Sequence, residues 1–202
     1  MPRGRRGLAC AAVGDPAAPV VVLLPGHTDS WRSYRPVEGR LASSVRAIAV
    51  SPRGHGHSDK PPAGYGVHDF AGDVPPLLDA LGIDRAVLAG HFGSCLVARR
   101  IAIDQPERVA GLVLEASPTT LRGHVGLIEL VSTVVSGLED PIVWGDADAL
   151  VDRDIQATLT RQLRDAELIV YHGVGHAPRW EDPTRFARDV AAFTHRVLPH
   201  RA

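Results

Sequence analysis

The chain has 202 residues, 45% hydrophobic and 22% charged, with a formal net charge of −1. That size suits a single domain over 1–202 with a proper core, and the mixed, nearly balanced charge argues against a dedicated nucleic-acid or membrane-surface binder. The two cysteines, Cys10 and Cys95, fall in different elements and give no disulfide scaffold. The basic opening Met1–Arg6 is followed by no apolar h-region, and no apolar run is long enough for a bilayer, so the expected address is cytoplasmic.

In chain order, Gly7 to Val13 reads as a weak strand, then Val20–Leu24 as a central strand apolar on both faces and stopped by Pro25-Gly26. Ser30 is placed to cap a helix running to about Ser44. Val45–Val50 is a strand, followed by the polar loop Pro52 to Pro62. His68–Leu81 reads as a helix that Pro75-Pro76 kinks or starts late. The apolar run Arg85–Ala89 predicts a buried strand, Gly93–Asp104 a helix, and Val109–Glu115 another strand. Pro118–Glu139 is mixed and partly apolar. Pro141–Trp144 is a strand, Val151–Leu163 a helix, Glu167–Tyr171 a strand and Asp182–Leu198 a helix. Strands alternating with helices make an α/β protein with a mainly parallel central sheet flanked by helices, whose ligands bind beyond the carboxyl ends of the strands.

The polar signals gather at those ends. Ala89-Gly90-His91-Phe92-Gly93-Ser94 joins a strand to a helix through a glycine-flanked turn, the frame in which G-x-S-x-G presents a nucleophile. Phe92 stands where the serine would be. A slipped register would make Ser94 or Cys95 the nucleophile instead. Close approach of strand and helix asks for small residues two before and two after the nucleophile. Phe92 has Gly90 and Ser94 there, whereas Ser94 has Phe92 and Leu96, and Cys95 has Gly93 and Val97. The sterics favour Phe92 at the turn, with Gly93 available to take the unusual dihedrals.

These motifs together resemble the α/β-hydrolase superfamily. Leu23–Trp31 resembles its oxyanion-loop segment, with Pro25 where a histidine is usual, and Pro52–Asp59 resembles its R-G-x-G-x-S loop. Val143–Asp148 resembles its acid strand and Gly175–Pro183 its histidine loop, which implies Asp148 as triad acid and His176 as base. The resemblance also implies an oxyanion hole built from the backbone N–H groups of His27 and Gly93. Two departures stand out: the absent serine, and a lid segment reduced to 118–140, so that the cap is absent or minimal.

A phenylalanine at position 92 excludes an acyl-enzyme formed there, while a His176–Asp148 pair can still move protons. The leading expectation is epimerase, isomerase or lyase chemistry on a carbonyl or peptide-like small substrate, without a cofactor. Direct attack by base-activated water is a further route. The alternatives are a pseudoenzyme or ligand-binding protein, and an ester or thioester hydrolase using Ser94 or Cys95. His55-x-His57 with Asp59 lacks the rest of a ligand set, so no metal is expected and the loop reads as anchoring its own backbone. Apolar residues around Val125–Val135 offer a surface for a homodimer.

Overall fold

The computed structural model describes residues 7–118, 140–163 and 165–199. Its seven strands are β1 (Cys10–Val13), β2 (Val20–Leu24), β3 (Arg46–Val50), β4 (Ala86–His91), β5 (Val109–Glu115), β6 (Asp140–Gly145) and β7 (Ala166–Tyr171). They form one sheet in the order β1-β3-β2-β4-β5-β6-β7. Only β1 runs antiparallel, against β3. The helices are α1 (Arg35–Leu41), α2 (Val67–Ala71), α3 (Val74–Ala80), α4 (Ser94–Asp104), α5 (Arg153–Gln162), α6 (Pro178–Glu181) and α7 (Pro183–Val197). The expected α/β architecture is therefore the one observed. No helix among the described residues is long and apolar enough to cross a membrane.

The period-2 alternation of the strands sorts the core into two layers. Val22, Leu24, Ile48 and Leu88 face α3 and α4, whereas Val21, Leu23, Val87 and Val113 face α1 and α7. In α7, Phe186, Val190 and Phe193 recur at helical spacing and bury one stripe against the second layer.

Three expected elements changed form. The first strand begins at Cys10 because the segment before it is tied to the polar loop: Gly7 N–H donates to Asp59 (2.8 Å) and Ala9 N–H to Ser58 Oγ (2.9 Å). The helix expected from Ser30 is a 3₁₀ turn, Trp31–Tyr34, followed by the shorter α1. Pro36 forces that break, since proline fits only the first turn of a helix. Likewise His68–Leu81 divides into α2 and α3, with Pro75 and Pro76 in the opening turn of α3. The reduced lid at 118–140 and the apolar run around Val125–Val135 lie almost wholly outside the described residues.

Candidate functional site

Gly90 lies in the buried strand β4, one residue before its end, at a point where no side chain fits. A Cβ there would stand 2.7 Å from Ser94 O and 2.8 Å from Cys95 N, both backbone atoms. The turn between β4 and α4 is thus as tight as the sequence argument requires. Phe92 itself carries the left-handed backbone, with φ +49°, while Gly93 is right-handed helical at φ −57°. The expectation that Gly93 would take the unusual dihedrals is therefore corrected. The turn is held by Phe92 N–H donating to Glu115 O (2.9 Å) and Cys95 N–H donating to Phe92 O (3.0 Å). These bonds offset a conformation that costs a bulky residue about 1–3 kcal/mol.

Ser94 and Cys95 both turn inward. Ser94 Oγ donates to Pro25 O at 2.5 Å, and its residue is 7% exposed. Cys95 is fully buried, and burial pushes its thiol up to about 12. A thiolate at neutral pH is the nucleophilic form, and this site opposes it.

Opposite the turn, the loops after β6 and β7 bring Asp148 and His176 together. Asp148 has a side chain with no exposure. Its Oδ1 accepts from the N–H groups of Leu150 (2.8 Å) and Val151 (3.1 Å), and its Oδ2 faces His176 Nδ1 at 2.9 Å. That arrangement places the imidazole proton on Nδ1 and leaves Nε2 as a lone pair. The neighbouring Asp146, the other acid at this strand end, is used elsewhere: it accepts from His172 and from Gly173 N–H at the surface. The Phe92 ring meets the His176 ring edge-on, with centroids 5.2 Å apart and planes at 75°.

Two further features shape the site. His91, 6% exposed, sits 4.9 Å from the His176 ring and directs Nε2 at His176 O (3.2 Å). Its Nδ1 is buried without a partner among the described residues, hard against Gly26, where a Cβ would come within 2.6 Å. Burial pushes this imidazole below its ordinary value. His91 therefore touches both the loop after β2 and the loop carrying His176. The second feature is a buried ion pair. Glu115 Oε1 accepts from Arg179 N–H (3.1 Å) and Nη1 (3.2 Å), and Arg179 reaches Asp29 at 3.4 Å. The legible signal was a charged residue closing the otherwise apolar, fully buried strand Val109–Glu115.

The loop after β2 brings His27 beside Gly93: a Cβ on Gly93 would be 3.7 Å from His27 Nδ1. Thr28, at φ +70°, is steadied by donating its N–H to His55 Nε2 (3.3 Å), and His55 Nδ1 in turn donates to Arg53 O (2.9 Å). Both nitrogens of His55 thus serve the backbone of these two loops. A cavity of about 240 Å³ opens against His27 and Gly93, bounded by the ends of β2 and β3 and by α2 and α4. Phe92, Asp148 and His176 are not in its wall.

Residues 19–138 match the alpha/beta hydrolase fold family. The chain is 37% identical over 116 residues to epoxide hydrolase B of Mycobacterium tuberculosis, covering 56% of this chain and 33% of that protein. It is 39% identical over 117 residues to epoxide hydrolase 2 of Siraitia grosvenorii, covering 56% and 36%. The matched segment thus spans about a third of the length of these curated relatives. Among solved structures, a thermophilic esterase from Thermogutta terrifontis superposes with a TM-score of 0.83 at 18% identity, covering 100% of this chain and 97% of that one. At that identity the likeness is one of fold.

Proposed function

The chain belongs to the alpha/beta hydrolase fold family, and we propose that it hydrolyses an ester-type carbonyl with water activated by His176, without an acyl-enzyme. One observation carries this reading. The Nδ1–Asp148 bond leaves a basic Nε2 beside a turn whose central side chain, Phe92, has no atom able to attack.

The steps follow from the positions of the protons. Nε2 removes a proton from water as the water oxygen adds to the carbonyl carbon. Negative charge grows on the carbonyl oxygen, for which the His27 and Gly93 N–H groups are the donors at hand. Asp148 stabilises the imidazolium that forms. The imidazolium then returns its proton to the departing alkoxide, giving an acid and an alcohol. The Phe92 ring holds the imidazole edge and keeps the base from swinging into the space a serine would fill.

Hydrolysis takes precedence over the epimerase or lyase chemistry expected from the residues alone. The matched relatives bear the name epoxide hydrolase and the structural neighbour is an esterase. The inward-turned Ser94 and Cys95 favour water over either as the attacking group.

The test is a screen of p-nitrophenyl esters with the parent protein and His176→Ala. Turnover lost in the variant, with no burst and no covalent adduct by mass spectrometry, is the expected result. Equal rates in both proteins, or an acyl adduct mapped to Ser94 or Cys95, would overturn it.

A further inference from the structure

We propose that the His27 imidazole is a further catalytic group, a side-chain hydrogen-bond donor to the carbonyl oxygen that gains negative charge. The proposal rests on the hydrolytic reading for the reaction, and on the placement of the ring for the rest.

Position comes first. His27 presents two groups to the turn between β4 and α4, its backbone N–H and its ring. The ring lies against Gly93, the residue that carries the second N–H. A Cβ on Gly93 would stand 3.7 Å from Nδ1, 3.9 Å from Cγ and 4.0 Å from Cε1, so Nδ1 is the nearest ring atom. Phe70 of α2 lies beside the ring, with centroids 6.2 Å apart and planes at 54°. The backbone beneath is fixed: Asp29 N–H donates to Gly26 O (3.2 Å), and the Thr28 hydroxyl donates to His27 O (2.5 Å). His27 lines the cavity, whereas Phe92 and His176 do not. A carbonyl oxygen held at the two backbone N–H groups therefore has the His27 ring on the cavity side and the base on the other.

The ring is also uncommitted. The other polar side chains of the cavity wall are engaged. Ser94 Oγ donates to Pro25 O, and Tyr65 donates to Pro61 O at 2.7 Å. Asp73 accepts from Arg53 Nε at 2.6 Å, and His55 spends both ring nitrogens on backbone. His27 is exposed, and neither of its ring nitrogens has a hydrogen-bond partner among the described residues. An imidazole keeps at least one N–H whether it is neutral or protonated. It can therefore donate to the oxygen and return unchanged, with no proton to balance. Addition of water leaves the negative charge on this oxygen, where a fixed donor has its largest effect.

Two substitutions separate donation from packing. His27→Phe keeps a ring beside Phe70 and loses the donor, whereas His27→Gln loses the ring and keeps a donor. On the esters that the parent turns over, kcat is expected to fall about 10²-fold in His27→Phe, as for loss of one oxyanion donor. KM is expected to stay within about threefold, and His27→Gln to keep kcat within about tenfold of the parent. The reverse ranking of the two variants overturns the proposal. A second reading needs no turnover. Methyl hexylphosphonate, a stable tetrahedral anion, is titrated by calorimetry into His176→Ala and into the same protein carrying His27→Phe. Its affinity is expected to be about tenfold or more weaker in the double variant, the equivalent of one hydrogen bond to a charged group. The affinity of 2-octanone, trigonal and uncharged, is expected to move by no more than about threefold. A loss confined to the phosphonate supports the donor even if every ester proves inert. Equal phosphonate affinity in both proteins, none in either, or equal losses for both ligands overturns it even if esters are hydrolysed.

Discussion

Asp148→Asn probes the acid–base pair while sparing the fold. The carboxylate uses its two oxygens differently: Oδ1 takes the Leu150 and Val151 N–H groups, and Oδ2 takes His176 Nδ1. An asparagine keeps the first pair of bonds with its carbonyl oxygen. Its amide NH₂ then points at Nδ1–H, donor against donor. The imidazole escapes by moving its proton to Nε2, which removes the base. In serine-protease triads the same change lowers kcat by about 10⁴; here, with no nucleophile to activate, about 10³–10⁴ is expected, or roughly 4–5.5 kcal/mol at 1.36 kcal/mol per decade. KM should stay within about threefold, because Asp148 does not touch the cavity. Initial rates on p-nitrophenyl hexanoate measure both constants, and circular dichroism checks that the variant is folded. A folded variant within tenfold of parental kcat would refute the tautomer argument.

Phe92→Ser places a hydroxyl at the turn beside His176, and the variant should acquire labelling by a fluorophosphonate at residue 92; no adduct there would show that the site is not arranged for nucleophilic attack. Gly90→Ala drives a Cβ into the backbone of α4, so urea unfolding should show a loss of about 1–3 kcal/mol or more; an unchanged midpoint would contradict the described contact. His91 is held below its ordinary pKa by burial. Between that lowered value and 6.5 the unfolded chain takes a proton that the folded one refuses, so stability should fall as pH drops below 6.5. His91→Gln removes that group, and its urea midpoint should fall less between pH 7 and pH 5 than the parent's; parallel losses would disprove the assignment.

The strands were legible because most are short aliphatic runs ended by glycine, proline or a polar cluster, and the central parallel ones are buried on both faces. Asp148 and His176 were legible through the resemblance of Val143–Asp148 and Gly175–Pro183 to the acid strand and histidine loop of the superfamily. What local pattern could not supply was the partner of each loop. His91 reads as any histidine at a strand end until folding sets it between Gly26 and the His176 carbonyl. Glu115 and Arg179 are 64 positions apart, and nothing near either one announces the other. The helix expected from Ser30 failed where Pro36 decided its start, whereas the break expected at Pro75-Pro76 is the one observed.

The chain also divides its chemistry along its length. In the proposed reaction the N–H groups, Phe92 and the cavity all come from residues before 118, whereas the proposed acid and base, Asp148 and His176, come from residues after 140. Between the two parts β5 and β6 register at only Leu114–Ile142 and Glu115–Val143, fewer positions than any other neighbouring pair. The Glu115–Arg179 pair and the His91–His176 bond then act as clasps across that seam. On the proposed mechanism, a gene cut within 119–139 is expected to express two fragments, each inert alone because each would hold half of the reaction. Restored turnover on mixing would report their reassembly, making the seam a natural place to build a two-piece sensor.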